Sequence, residues 1–405
     1  MTKLLPFTSV MTTATAFAAL CAGAGVANAA DGFTQNNLVS NMPGLATITD
    51  SSLVNPWGVS FANGSPVWIS DQGTQTSPLF SVTGSTGVSG PLFTVNIPPA
   101  GVSGPTGQVA NASGSGFNVG NGGNGKAANF IFANLNGSIA AWNGAPVNGV
   151  STQTQAFTQT SVAGASFTGL AINSTDTRLF AANDAGAGSI DVFNRSFNME
   201  SLGGNAFATP TAVMAAGLVP FNVTDLGGNV FVTYAPSGHA AQTAAVAGQG
   251  AVAEFSESGA LENMKVGGQL ASPWGVALAP MSFGKFGGDL LVGNFAFGDS
   301  VINAFNPTTM AFEGSIDVNV GAGNMPGGLW SLVFGGSGMD GNPDTLFFTD
   351  GINGETGGLF GSITAAAAGS LSAVPEPSTW AMMLAGFGGL ALLAARRRRA
   401  SPAIG

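Results

Sequence analysis

One cysteine, one histidine and one tyrosine are all that this 405-residue chain holds of three chemically versatile side chains: Cys21, His239 and Tyr234. A lone cysteine forms no disulfide within the chain and builds no thiolate metal site. A lone histidine cannot build a multi-histidine metal centre. It also has no carboxylate close by in sequence, and no Gly-x-Ser-x-Gly elbow on a strand-to-helix turn offers it a nucleophile. Charge is scarce at 7% of residues, and basic charge is scarcest. Five of the ten basic residues sit at the ends, as Lys3 and Arg396 to Arg399. That leaves Lys126, Arg178, Arg195, Lys265 and Lys285 against nineteen acids, a body of about −14. Such a surface repels nucleic acid and anionic polysaccharide and attracts cations. No stretch before Val374 carries a helical hydrophobic period, which turns attention to strands.

Both ends of the chain read as addresses. Lys3, the apolar, small-residue run Val10 to Ala24, and Ala27-Asn28-Ala29 form a signal peptide over residues 1–29. Cys21 leaves with it. At the other end come Val374-Pro375-Glu376-Pro377 and an uncharged run from Ser378 to Ala395. Those eighteen residues make about 27 Å of helix at roughly 1.5 Å per residue, enough to span a bilayer core. Arg396, Arg397, Arg398 and Arg399 then stop transfer and stay cytoplasmic. The tail, 374–399, resembles the PEP-CTERM sorting signal of exported bacterial proteins. That resemblance implies an exosortase-type protease as partner, acting at Pro375, Glu376 and Pro377. It also implies an inner-membrane anchor before processing, and an outer-surface or secreted destination afterwards.

Between the ends a pattern repeats: an aromatic followed by Gly or Asn and an apolar residue, then a short apolar strand ending in Asp or Asn, a Gly-rich turn, and another strand. Copies start at Trp57, Phe117, Phe167, Phe221, Trp274 and Trp330, with spacings of 60, 50, 54, 53 and 56. Periods of this length, with β-branched and aromatic strands of four to seven residues, predict a propeller blade per copy. The expected fold is all-β, a six-bladed β-propeller over residues 31–364, joined by a linker over 365–373 to the sorting tail. Because the sixth copy runs out near Thr364, the segment Asn37 to Ile48 is expected to add its outer strand and close the ring. Two stretches, Gly101 to Gly125 and Pro236 to Gly250, read as long loops.

The repeat resembles NHL-type six-bladed propellers. Through Asn37-Leu38-Val39-Ser40, Asn55-Pro56-Trp57-Gly58-Val59 and Trp68-Ile69-Ser70-Asp71 the chain is similar to an exported bacterial propeller family that often ends in PEP-CTERM tails. That resemblance implies a fold and no chemistry.

Propellers bind ligands at one mouth of the central channel, on loops that lead into the innermost strands. The expected occupants are Trp57, Phe117, Thr168, Phe221, Trp274 and Trp330. A ring of tryptophans there could stack on sugar faces, or it could be the plug that packs blade against blade. The strand-end residues Asp71, Asn134, Asp184, Asn294 and Asp350 read as turn caps. The alternative is calcium, for which Asp340 to Asp344 and Asp184 to Asp191 are candidate loops, although neither has the spacing of a dedicated calcium loop. No other cofactor is expected. Two functions follow: an exported interaction module for an extracellular polysaccharide or matrix protein, or a lactonase- or lyase-like enzyme. The first expects a mouth walled by Trp57, Trp274 and Trp330; the second expects three or more converging Asp, Glu or Asn side chains.

Overall fold

The computed structural model describes residues 28–30, 32–99, 103–150 and 154–366. The linker beyond Ala366, the sorting tail and nearly all of the signal peptide lie outside them.

Six separate sheets make six blades, each an antiparallel meander. The innermost strands are Pro56–Ser60, Gln108–Ala110, Phe167–Ile172, Leu218–Leu226, Pro273–Leu278 and Leu329–Phe334. Each leads to a second strand that is almost wholly buried, such as Val67–Asp71, Leu290–Asn294 and Thr345–Asp350. Strands buried on both faces read as continuous apolar runs, which is why the sequence showed them so plainly. Aliphatic and aromatic side chains between neighbouring sheets form a core that runs round the ring rather than one central core.

The ring closes as expected, with the strand beginning earlier than foreseen. Phe33–Ser40 pairs along Leu359–Ala365, and Ile48–Thr49 adds a short parallel partner. Leu38 and Val39 are fully buried there. Closure by an N-terminal strand ties the two ends of the propeller into one sheet and leaves no open blade edge at the seam.

Around the axis the inner strands approach so closely that side chains are excluded. A Cβ on Gly58 would lie 2.6 Å from Thr106 O, and one on Gly275 would collide with Trp330 O. Equivalent collisions would occur between Gly107 and Leu170 N, and between Gly169 and Asn222 Oδ1. These positions directly follow Trp57, Thr106, Thr168 and Trp274. The small residue in the repeat is therefore a spacing requirement between adjacent blades.

Blade 2 corrects the sequence reading. Its inner strand is Gln108–Ala110, inside the expected loop, and the motif leading into it is Thr106-Gly107 rather than Phe117-Asn118-Val119. Thr106 donates to Phe167 O at 2.7 Å, and Gly58 N donates to Thr106 O at 3.1 Å. A hydroxyl thus stands where the other copies have an aromatic or Thr168, and the pattern slid to the next aromatic along. Phe117, at φ 47°, cannot sit in a strand. Its ring is buried in the core between blades 2 and 3, 5.4 Å from Phe197. A short helix, His239–Thr243, lies in the stretch read as the second long loop, and another, Thr211–Ala215, lies between the third and fourth copies.

Candidate functional site

Four of the six expected mouth residues come together as a plug. Trp57 and Trp330 stack with centroids 3.5 Å apart and planes 21° from parallel. Trp274 meets both rings edge-on, at 6.2 and 5.6 Å, and Phe221 lies 5.9 Å from Trp330. Phe295, which the sequence reading missed, stacks on Trp330 at 4.1 Å. Thr168 joins through its backbone, whose carbonyl accepts from Trp274 Nε1 at 2.9 Å. Phe117 stands apart, for the reason given above. The three tryptophans are at most 4% exposed. Such contacts hold blades together, and they leave little indole face for a ligand.

Outside the plug, on the side of the loops that join second to third strands, is a cavity of about 390 Å³. Each blade sends one such loop toward this side. Gln72, Leu135 and Asp184 come from blades 1 to 3; His239 and Gln242 come from the short helix of blade 4; Glu355 comes from blade 6. Asn55, Ser166 and Thr168 complete the wall from the approaches to the inner strands, and Trp57 also lines the cavity.

The polar groups are knitted together. His239 Nε2 lies 2.9 Å from Glu355 Oε2. Asn55 Nδ2 donates to Glu355 Oε1 at 3.1 Å and to Gln72 Oε1 at 3.0 Å, while Asn55 Oδ1 accepts from Trp330 Nε1 at 2.9 Å. Gln242 Nε2 donates to Asp184 Oδ2 at 3.2 Å. The hydrogen bond to Glu355 raises the imidazole pKa against the opposing effect of burial, and the charges of Glu355 and Asp184 add to the rise. Trp57 Nε1, by contrast, has no acceptor among the described residues.

The strand-end residues behave mostly as turn caps. Asp71 accepts from Val54 N at 2.8 Å and Thr74 Oγ1 at 2.9 Å, yet burial still pushes its carboxyl well above the ordinary range. Asn294 Oδ1 accepts from Ala271 N at 3.1 Å. In blade 3 the capping residue is Asn183, whose Oδ1 accepts from Ser166 N at 3.0 Å. Asp184 is therefore one place beyond the cap, which puts it at the cavity. Asp350 is the exception. Its Oδ2 accepts from Ser300 Oγ at 2.6 Å, its Oδ1 is buried without a partner, and burial lifts its pKa to about 8. A relay replaces the direct cap, since Gly327 N donates to Ser300 Oγ at 2.9 Å.

The candidate calcium loops use their carboxylates internally. Asp340 accepts from Gly64 N at 2.8 Å and Gly338 N at 2.7 Å, and Asp191 accepts from Ser189 Oγ at 2.7 Å. Asp344 accepts from Ser282 Oγ. Among the described residues, no three His, Asp or Glu side chains are grouped to hold a metal.

The far end of the channel is a second cavity of about 370 Å³, lined largely by aliphatic residues such as Ile172, Val276 and Val333. Asp225 also lines it, its pKa raised to about 6 chiefly by burial. The first cavity carries the denser polar constellation.

In comparison with known proteins, the PEP-CTERM protein-sorting motif matches residues 373–399. It marks an exported protein of the kind that an exosortase recognises and processes. A search of curated proteins finds no match. Among solved structures, the chain is similar to a streptogramin B lyase at 12% identity, covering 82% of this chain and 97% of that one with a TM-score of 0.45. It is also similar to Kuenenia stuttgartiensis hydrazine synthase at 13% identity, covering 74% and 77% with a TM-score of 0.41. A third likeness is to the C-terminal WD40 domain of Sif2, at 9% identity, 76% and 96% coverage and a TM-score of 0.40. None of the three bears on ligand or chemistry.

Proposed function

We propose that the exported propeller is an interaction module whose channel mouth receives a hydroxyl-rich ligand, the exposed end of an extracellular glycan. The observation that carries this is the wall of Asn55, Gln72, Asp184, Gln242 and Glu355 above Trp57. At about 390 Å³ the cavity is near the small end of the roughly 300–1,000 Å³ typical of small-molecule sites. With the tryptophans buried as a plug, one of the two sequence readings, recognition rests on hydrogen bonding rather than ring stacking. Sorting would deliver this mouth to the outside: the uncharged run over 378–395 would hold the chain at the inner membrane until processing at Pro375-Glu376-Pro377 freed it to the cell surface or medium.

A glycan array probed with the full chain in mild detergent tests the proposal. Binding that is lost in Glu355→Gln supports it, since that change loosens the His239 and Asn55 contacts without emptying the site. A blank array sinks it.

The catalytic alternative has its own observation. Asn55, Asp184 and Glu355 do converge, as an enzyme's mouth was expected to show, and His239 paired with Glu355 has the form of an acid–base group and its orienter. The binding reading ranks first because lactone opening and elimination both build negative charge on oxygen. Here the amide donors of Asn55 and Gln242 already serve carboxylates and amide oxygens of the wall. Turnover of a sugar lactone or glycan that disappears in His239→Gln would reverse that ranking.

A further inference from the structure

We infer that the ligand is cationic as well as hydroxylated: the mouth binds the ammonium group of an amino sugar, with Asp184 as its counter-ion. The inference rests on the glycan reading above and specifies the sugar.

Two carboxylates line the cavity and no lysine or arginine does. The five basic residues of the body lie elsewhere, and Arg178 is held by Glu200 at 3.0 Å. Glu355 is fully engaged, one oxygen by His239 and the other by Asn55. With the imidazole protonated, that pair is neutral. Asp184 then carries the charge that remains in the wall, and the side-chain donor it receives is the neutral amide of Gln242. A carboxylate held this way at a half-closed mouth gains more from a charged donor than from a hydroxyl, because charge-assisted hydrogen bonds are roughly twice as strong as neutral ones. The body's charge of about −14 concentrates cations at the same surface before docking.

Two further residues of the wall favour a sugar over a simple amine. Trp57 lines the cavity, is 4% exposed, and is alone among the three plug tryptophans in having an indole N–H without an acceptor. A ring or hydroxyl oxygen would satisfy it. Ser166 lies on the same wall, while the buried Thr168 hydroxyl already donates to Ala182 O at 3.3 Å. A linear polyamine has no oxygen to offer these groups.

Calorimetry on the full chain in mild detergent, at pH 6 and low salt, separates the possibilities. The probes are a glucosamine tetramer, its fully N-acetylated counterpart, spermine and calcium chloride, each titrated into wild type and Asp184→Asn. The expected result is that the glucosamine tetramer binds at least ~10-fold more tightly than the acetylated one, about what one charge-assisted hydrogen bond is worth. Asp184→Asn should erase that difference, bringing the glucosamine tetramer down to the affinity of the acetylated one. Equal binding of the two tetramers, unaltered by the substitution, overturns the ammonium inference and leaves the glycan reading standing. Spermine binding as tightly as the glucosamine tetramer reduces the site to charge alone and overturns the assignment to a sugar. Calcium displacing the tetramer through Asp184 makes it a divalent-cation site, with the same consequence. No binding of either tetramer overturns both the inference and the reading beneath it.

Discussion

His239 and Glu355 meet at 2.9 Å across the channel mouth, one on the short helix of blade 4 and the other on a loop of blade 6. In a chain with a single histidine, this contact makes the mouth responsive to pH near neutrality.

The contact raises the imidazole pKa above its ordinary value of about 6.5. A group raised on folding stabilises fully below its unfolded value, and that stabilisation fades as pH rises through the folded value. The melting temperature of wild type should exceed that of His239→Gln at pH 6, and the gap should close as pH rises through the folded value. With 62% of the His239 side chain exposed, the pair is worth roughly 0–1 kcal/mol, a shift of at most about 3 °C. A constant offset across that range would rule out titration as the cause.

Asp350 should show a larger effect in the same direction. Burial holds its proton to about pH 8, whereas the unfolded chain releases it near pH 4. The folded state therefore binds the extra proton between those values, and stability falls as pH rises through the window. Asp350→Asn keeps the shape and removes the titration. It should melt several degrees above wild type at pH 8 and no higher at pH 4, with about 1 kcal/mol worth roughly 2–4 °C. Equal melting shifts at both pH values would contradict the buried-proton account.

Trp330 is fully buried against Trp57, Trp274, Phe221 and Phe295. Trp330→Ala should cost about 3–5 kcal/mol in denaturant unfolding, because the plug cannot collapse into the space without moving whole blades. For the same reason Trp57→Ala and Trp274→Ala are poor probes of binding, and the cavity's polar residues are better ones.

Gly275→Ala places a methyl group against Trp330 O. Backbone facing backbone has little room to give, so a loss of about 1–3 kcal/mol or more is expected. Gly204→Ala is the control, since a Cβ there meets nothing within 4 Å, and it should stay within about 0.5 kcal/mol of wild type. If both variants melt alike, close approach of the inner strands is not what keeps Gly275 small.

The sequence reading reached far into the fold and only partway into the site. Val67–Asp71, Leu290–Asn294 and Thr345–Asp350 were legible because a strand buried on both faces must be apolar throughout. The closing strand was legible only from Asn37 onward, as the missing outer strand of the last blade, and its first residues, from Phe33, were not. Blade 2 was misplaced because Thr106 holds the position of an aromatic and Phe117 imitates one. Asp184 was noticed, but as a cap; a shift of one residue gave capping to Asn183 and put Asp184 at the cavity. Phe295 left a faint signal as the residue just after a buried strand.

The amino-acid sequence by itself determined the strands, their sixfold repetition and the sorting address, because each depends on residues close together in the chain. Strand periodicity, turn chemistry and a tripartite tail are all local. Only the tertiary structure decided that the tryptophans are a plug and that His239 answers Glu355. Those meetings depend on loops from different blades reaching one axis, and closing the ring sets that distance without regard to how far apart the residues lie in sequence.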